Sequence, residues 1–389
     1  MLMPDNSERQ WKIDRRSMLA TGAVTLTGLA GCMGEDADPN EETAPTNFAD
    51  WDPTNPEFPQ PLEALLLETP EILDRSWGYN QGSTEDLDAL PSQDEPAHGD
   101  PPLDVPDDES ELIAPDPLVM TVMPDIEGAA FPDTFDALIE NIETETGRTV
   151  EYQVLDSTAG MVEGMRSGRI HLGHFNGGAV PDAVNIAGGR PIAMGLFGEG
   201  EGPDPWGIRT YTITQMDNDD INTVDDLEGK TVAHTSETSN SGHMAPLVFL
   251  ENEGVVPGED YEIEFSGGHQ QSIRSIPLGD YDAANVASTW IPWFQENEDE
   301  FNLDDYKVVF ASELMPNLGS PAITRYDLDP DIVDGIKRAY FDYDYTDTLI
   351  EKEMSINYFV EFPDYSTVMN FILNVHKENG REYELDALD

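Results

Sequence analysis

Residues 235–254 read TSETSNSGHMAPLVFLENEG. Thr235, Ser236, Thr238, Ser239 and Ser241 crowd into seven positions with Asn240, and from Gly242 the residues follow an apolar helical pattern. The preceding run, Lys230-Thr-Val-Ala-His234, has the composition of a buried strand, so the hydroxyls sit where a strand hands over to a helix. The first amides of a helix have no internal partner, and the macrodipole puts roughly half a positive charge there. Ser239, Asn240 and Ser241 add side-chain donors beside those amides, which makes the turn a candidate cradle for a tetrahedral oxyanion without a formal cation. The same residue types also cap helices routinely, and the stretch alone leaves both readings open.

The handover from strand to helix recurs on both sides of this stretch. From Leu118 the order is strand (LVMTVMP), helix ending at Gly147, strand (TVEYQVLD), helix (TAGMVEGMRSG), strand (RIHLGHF), helix (AVPDAVNIAGG) and strand (PIAMGLF). A second unit holds the strand TVAHTS, the helix 242–253, the strand YEIEFSGG, the helix HQQSIRSIPLG and the strand DAANVAS. Two terminal helices are expected at about 330–351 and 364–378. Alternating βαβ order implies an α/β fold with largely parallel sheets and ligands at the carboxyl ends of the strands. Strands near 208–215 and 306–312 are expected to carry the chain between two lobes, leaving a cleft and a hinge. The limits read from this pattern are 117–208 for the first lobe, 209–307 for the second, and 308–389 for the return and the C-terminal helices.

The rest of the chain is tail. Of the 389 residues, Asp+Glu number 79 and Lys+Arg 19, a formal net charge of −60 that argues against nucleic acid as a partner. An acidic, lysine-poor surface looks like that of proteins from extreme halophiles. There a Debye length of roughly 3 Å at 1 M salt screens the carboxylates from each other and from an incoming anion. Residues 1–31 include Arg15-Arg16, a short apolar run and Leu29-Ala-Gly31, followed by Cys32. This is the layout of a twin-arginine export signal ahead of a lipobox, with Cys32 as the lipid anchor on the extracytoplasmic face. Residues 32–116 read as an acidic, mostly flexible stalk interrupted by one amphipathic segment, 62–75, whose docking the sequence leaves open.

Several spacings carry a resemblance. Asp226-Leu-Glu-Gly-Lys230, Ser239-Asn-Ser-Gly242, Pro246, Ser266-Gly-Gly-His269 and Gly279-Asp-Tyr-Asp282 fall in an order that resembles the second lobe of the phosphonate-binding proteins of ABC importers. ETGRTVEYQVLDSTAGMVEGMRSGRIHLGHF resembles the first lobe, and the likeness covers about residues 117–345. It implies the two-lobed periplasmic-binding-protein fold of type II-like form and capture of phosphonate, phosphate or phosphite for an ABC permease and its ATPase. It implies further that Ser239, Asn240, Ser241 and Gly242 hold the oxyanion, with Phe175, Asn176 and Gly177 facing them from the first lobe. His269 matches a ligand-contacting histidine of the family, expected to keep its proton near an anion. Asn240 stands where the family usually has threonine. Gly178 and Ala179 stand where a tyrosine is common, and Ser288 and Thr289 where carboxylates would hold a ligand amine. These departures favour phosphate, phosphite or a simple alkylphosphonate over an aminoalkyl one. Trp206 and Trp290 are candidate cleft walls.

Other readings were weighed on the same residues. A sulfonate or another organic anion would suit the same donors. For metal, His171-x-x-His174 has ligand-like spacing, and His234, His243 and His269 lie near strand ends, but i and i+3 of a strand point to opposite faces. No G-x-S-x-G elbow surrounds Ser241 and no glycine-rich phosphate loop with lysine occurs, so no catalytic residue, cofactor or metal is assigned.

Overall fold

A computed structural model of the chain describes residues 92–124, 132–196, 207–298, 301–302, 305–312, 315–316, 318–354 and 356–383. The export signal, Cys32, the segment 62–75 and Trp206 lie outside them. Two mixed sheets organise the body. The first has the order β13-β4-β12-β3-β1-β2 and the second β10-β6-β9-β7-β8. In the first, β1 (Leu118–Val122) runs parallel to β2 (Val150–Tyr152) and β3 (Leu172–His174). In the second, β7 (Thr231–His234) runs parallel to β8 (Glu262–Phe265) and β9 (Ala283–Ala287).

The expectation of largely parallel sheets needs correction. β12 (Ala322–Arg325) is antiparallel to both β3 and β4 (Gly189–Leu196), and β13 (Tyr358–Glu361) is antiparallel to β4. Likewise β6 (Thr210–Gln215) is antiparallel to β9 and to β10 (Tyr306–Ala311). β6 and β12 each enter a sheet from the other lobe, and β13 follows β12 within the first lobe and runs in its direction. The crossing itself is a short antiparallel pair, β5 (Gly207–Ile208) with β11 (Met315–Pro316). The segments 208–215 and 306–312 therefore belong almost wholly to the second sheet, and a limit at 307/308 falls inside β10.

Helix ends follow their local chemistry. α1 (Asp136–Thr146) stops at Gly147, whose φ of 65° suits a residue without Cβ. α2 (Thr158–Arg166) starts under the Ser157 hydroxyl, which accepts from Gly160 N. α3 (Val180–Ala187) connects β3 to β4, which lie on either side of β12 in the sheet. The expected helix 330–351 is broken into α7 (Pro330–Phe341) and α8 (Leu349–Met354), because Asp342 to Asp347 alternates acidic and aromatic residues that favour a turn over a helix. The last helices are α9 (Tyr365–Val368) and α10 (Asn370–Glu378), and α6 (Trp290–Asn297) follows β9.

One hydrophobic core lies under the first sheet and reaches the helix after β7, and a smaller one with Tyr211, Ile273, Ile291 and Phe294 fills the second lobe. Residues 92–116, assigned by sequence to a flexible stalk, are instead laid along the first lobe. Gln93 N donates to Thr367 Oγ1 at 3.0 Å, Asp100 N to Asn185 Oδ1 at 2.6 Å and Ile113 N to Asp327 O at 2.8 Å.

Candidate oxyanion-binding site

The loops at the carboxyl ends of β1, β3, β7 and β9 enclose a cavity of about 170 Å³ between the lobes. Sites for drug-sized molecules run to roughly 300–1,000 Å³, so this one suits a small ligand. Asn176, Ser239, Asn240, Ser241, His269, Thr289 and Ser320 supply its polar lining, and Ile208, Trp290, Trp293, Met354 and Ile372 are among its apolar walls.

The hydroxyl-rich turn is built around a proline. Asn240–Met244 is a π-helical turn that leads directly into α4 (Ala245–Asn252), with Met244 N bonded to Ser239 O at 2.9 Å and Ala245 N to Asn240 O. Pro246 has no N–H, so it cannot return a bond to the carbonyls of Ser241 or Gly242. Both are satisfied from elsewhere in the lobe: Thr210 Oγ1 donates to Ser241 O at 2.5 Å, and Thr235 N donates to Gly242 O at 3.2 Å. The wide turn leaves Ser239, Asn240 and Ser241 in the cavity lining, as short π segments at functional sites often do. Gly242 itself does not line the cavity. A Cβ there would meet Thr235 Oγ1 at 2.1 Å, so its place is a packing requirement of the turn.

The cap and the donors can now be told apart. Ser239 Oγ accepts from Gly242 N at 3.1 Å, which makes Ser239 the helix cap while its own O–H stays available to a ligand. Ser241, only 6 % exposed, lines the cavity without capping anything. Asn240 places Nδ2 3.9 Å from Met315 Sδ, and its Oδ1 is buried with no hydrogen-bond partner.

His269 opens α5 (His269–Leu278) and lines the opposite wall. Its Nδ1 accepts from Ala287 N at 3.0 Å, so Nδ1 carries a lone pair and the proton of the neutral ring sits on Nε2. Burial pushes its pKa down to about 3. The expectation of a protonated histidine is therefore corrected: the ring is a neutral N–H donor, stacked near Trp290 with centroids 6.1 Å apart. Behind the turn, His234 Nδ1 and His243 Nδ1 lie 2.8 Å apart, and Asn285 Nδ2 donates to His234 Nε2 at 3.0 Å. His234 therefore gives its Nδ1 proton to His243. Burial lowers both pKa values, that of His243 to about 4.

The first lobe contributes the smaller share of the polar lining. Asn176 and Gly177 line the cavity, whereas Phe175 is fully buried in the core, so only its backbone lies at the loop. Asn176 Oδ1 accepts from Ala179 N at 2.9 Å, and its Nδ2 approaches Thr238 Oγ1 at 3.5 Å, the outer limit of a hydrogen bond. Gly178 packs against the other lobe so closely that a Cβ would stand 2.1 Å from Thr238 O and 2.9 Å from Asn240 N. A second bridge runs from Trp293 Nε1 to Lys352 O at 3.3 Å.

Sequence reasoning missed Ser320. With Gly319 it forms a left-handed pair, φ 52° and 54°, whose Ser320 Oγ is buried without a partner at the cavity wall. A non-glycine residue held there is strained, and such strain gathers at binding sites. Its only sequence signal is Gly319-Ser-Pro321 ahead of a strand. Of the histidines weighed for metal, His171 and His174 do not converge: His171 Nδ1 accepts from Val119 N, while His174 joins Ser320 O and Tyr340 OH. His234 and His243 meet each other, but among the described residues no third ligand joins them.

Comparison with known proteins identifies the family. The profile of a family described as ABC transporter, phosphonate, periplasmic substrate-binding protein matches residues 120–365. The phosphate-import protein PhnD of Mycolicibacterium smegmatis is 30% identical over 234 residues, 58% of this chain and 71% of that protein. Among solved structures, a binding protein component of an ABC phosphonate transporter from Pseudomonas aeruginosa superposes with a TM-score of 0.58 at 17% identity, covering 68% of this chain and 87% of that one. PhnD1 from Prochlorococcus marinus, solved in complex with methylphosphonate, gives 0.55 at 15% identity over 69% and 100% of the two chains. At these identities the two structures speak for the fold.

Proposed function

Because the chain belongs to the family of periplasmic phosphonate-binding proteins of ABC transporters, we propose that its cleft captures a small phosphonate or phosphite without a cationic substituent. The bound ligand passes to a membrane permease and its ATPase. The two lobes, 117–208 with the return segment beyond β11, and 209–312, close on it as jaws about the β5–β11 crossing. Cys32 anchors the protein by lipid to the outer face of the membrane after export through the twin-arginine signal. The acidic surface is an adaptation to concentrated salt.

The observation that carries this reading is the donor set itself. Ser239, Asn240, Ser241 and His269 Nε2–H converge on one small cavity, and no carboxylate stands among its described lining residues. Neutral donors grip an oxyanion through charge-assisted hydrogen bonds, and no carboxylate described there would pair with an ammonium group. The apolar walls suit a methyl group or a P–H hydrogen.

Calorimetric titration in molar salt with methylphosphonate, phosphite, phosphate, sulfate, methanesulfonate and 2-aminoethylphosphonate tests the assignment. Methylphosphonate or phosphite is expected to bind tightest and 2-aminoethylphosphonate far more weakly. Preference for methanesulfonate would instead make this a sulfonate receptor, and tight binding of the amine would overturn the ligand class.

A further inference from the structure

We propose that the cleft takes its ligand in the singly charged form, as hydrogen phosphonate or hydrogen phosphite, and that Asn240 Oδ1 accepts the hydrogen the ligand keeps. The proposal rests on the reading of the cleft as a phosphorus-oxyanion site.

The first ground is charge. No lysine or arginine lines the cavity. The segments 125–131, 197–206, 299–300, 303–304, 313–314, 317 and 355 contain neither residue, so every cation of the two lobes is already described. Arg209 adjoins the lining residue Ile208 in sequence, but it is buried with Nη1 donating to Ser312 O at 2.7 Å. The cost of taking an ion out of water grows with the square of its charge, whereas the gain from neutral donors grows only in proportion to it. A dianion therefore pays fourfold for a twofold gain. A cleft made of hydroxyls, amides and one neutral imidazole suits a monoanion.

The second ground is an acceptor with nothing to accept. Asn240 is 7 % exposed, it lines the cavity, and its Oδ1 lacks any hydrogen-bond partner. The amide is oriented by Met315: sulfur is a weak acceptor, so the NH2 end belongs beside Sδ and the oxygen faces the other way. In the proposed pose the ligand reaches that carbonyl oxygen as the lobes close on it, and a fully ionised phosphonate would set oxygen against oxygen there. One P–O–H group turns the same contact into a hydrogen bond and relieves a buried unsatisfied atom.

The titratable and charged groups around the turn are Glu237 on the turn itself, exposed to solvent, His269 in the cavity lining, the His234–His243 pair behind it with Tyr261 on His234, and Arg381, whose charge His243 senses. The imidazoles of His269 and His243 have pKa values of about 3 and about 4, and that of His234 lies well below its usual value. From pH 6 to 9 the proton that titrates in the site is thus the ligand's own.

The test is calorimetry of methylphosphonate binding to the full chain in molar salt from pH 6 to pH 9, each pH run in two buffers of different ionisation enthalpy. Above the ligand's second pKa, measured in the same salt, the Kd is expected to rise about tenfold per pH unit, with about one proton taken up per ligand bound. Methanesulfonate, a monoanion without the hydrogen, is expected to bind more weakly and with no pH dependence. Methylphosphonate binding with flat or improving affinity and no proton uptake would overturn this proposal alone. Absence of binding by methylphosphonate and by phosphite at every pH would overturn the reading of the cleft and this proposal with it.

Discussion

At the scale of single residues, the protonation of His269 decides how the site handles charge. A backbone amide points at Nδ1, so a second proton on the ring would break that bond as well as suffer the cost of burial. The folded pKa is depressed, so the stability this residue contributes is fully present above the unfolded value of about 6.5 and is lost as pH falls toward 3. His174, His243 and His376 carry the same sign, with pKa values near 4, 4 and 3. Nitrogen-15 NMR of the ring is expected to show one neutral Nε2–H tautomer from pH 8 to pH 5, and the melting temperature in molar salt should fall over pH 7 to 5.5. A ring that titrates near 6.5 would show that His269 is the cation the sequence alone suggested. The motif that singled out this histidine is local, and His269 does line the cavity, but its proton depends on Ala287 N, eighteen residues away in the chain and brought close only by the fold.

At the scale of elements, the site is a meeting of two loops. The strand-end loop at Asn176–Gly178 and the turn at Thr238–Asn240 touch without any side chain from Gly178 between them. Gly178→Ala places a methyl group against backbone of the opposite lobe only, so it should leave each lobe folded and hold the jaws apart. Affinity is expected to drop at least about tenfold while the melting temperature without ligand barely moves; unchanged affinity would mean the lobes need not approach this closely. Much of this layer was legible in the sequence: the Gly147 stop, the strand before Thr235 and the helix after Met244 all follow from local pattern. The reversed strands β12 and β13 were not, because pairing partners far along the chain decide them. The helix α6 was not legible either, and the break at Asp342, although local in cause, sits inside a pattern that reads as one helix. Ser320 escaped because its backbone too is set by a distant partner, Gly195 N, which donates to Gly319 O at 2.9 Å.

At the scale of the whole molecule, a chain with net charge −60 captures an anion. Molar salt screens the distant carboxylates, while donors inside a dry cleft are barely screened, so the two facts are compatible. The anchor belongs to this scale too. Cys32→Ser should release the protein from membranes with ligand affinity unaltered, and a variant that still sediments with membranes would rule out the lipid. The central claim is that the turn after β7 holds an oxyanion, and Ser241→Ala reads it most directly, because Ser239 rather than Ser241 caps the helix. Removing one hydrogen bond to a charged ligand costs roughly 1.5–3 kcal/mol. Calorimetric titration of the tightest-binding phosphorus oxyanion into native and variant chains should therefore show a Kd raised about ten- to hundredfold in a protein of unchanged melting temperature. A variant that binds as tightly as the native chain would contradict the account.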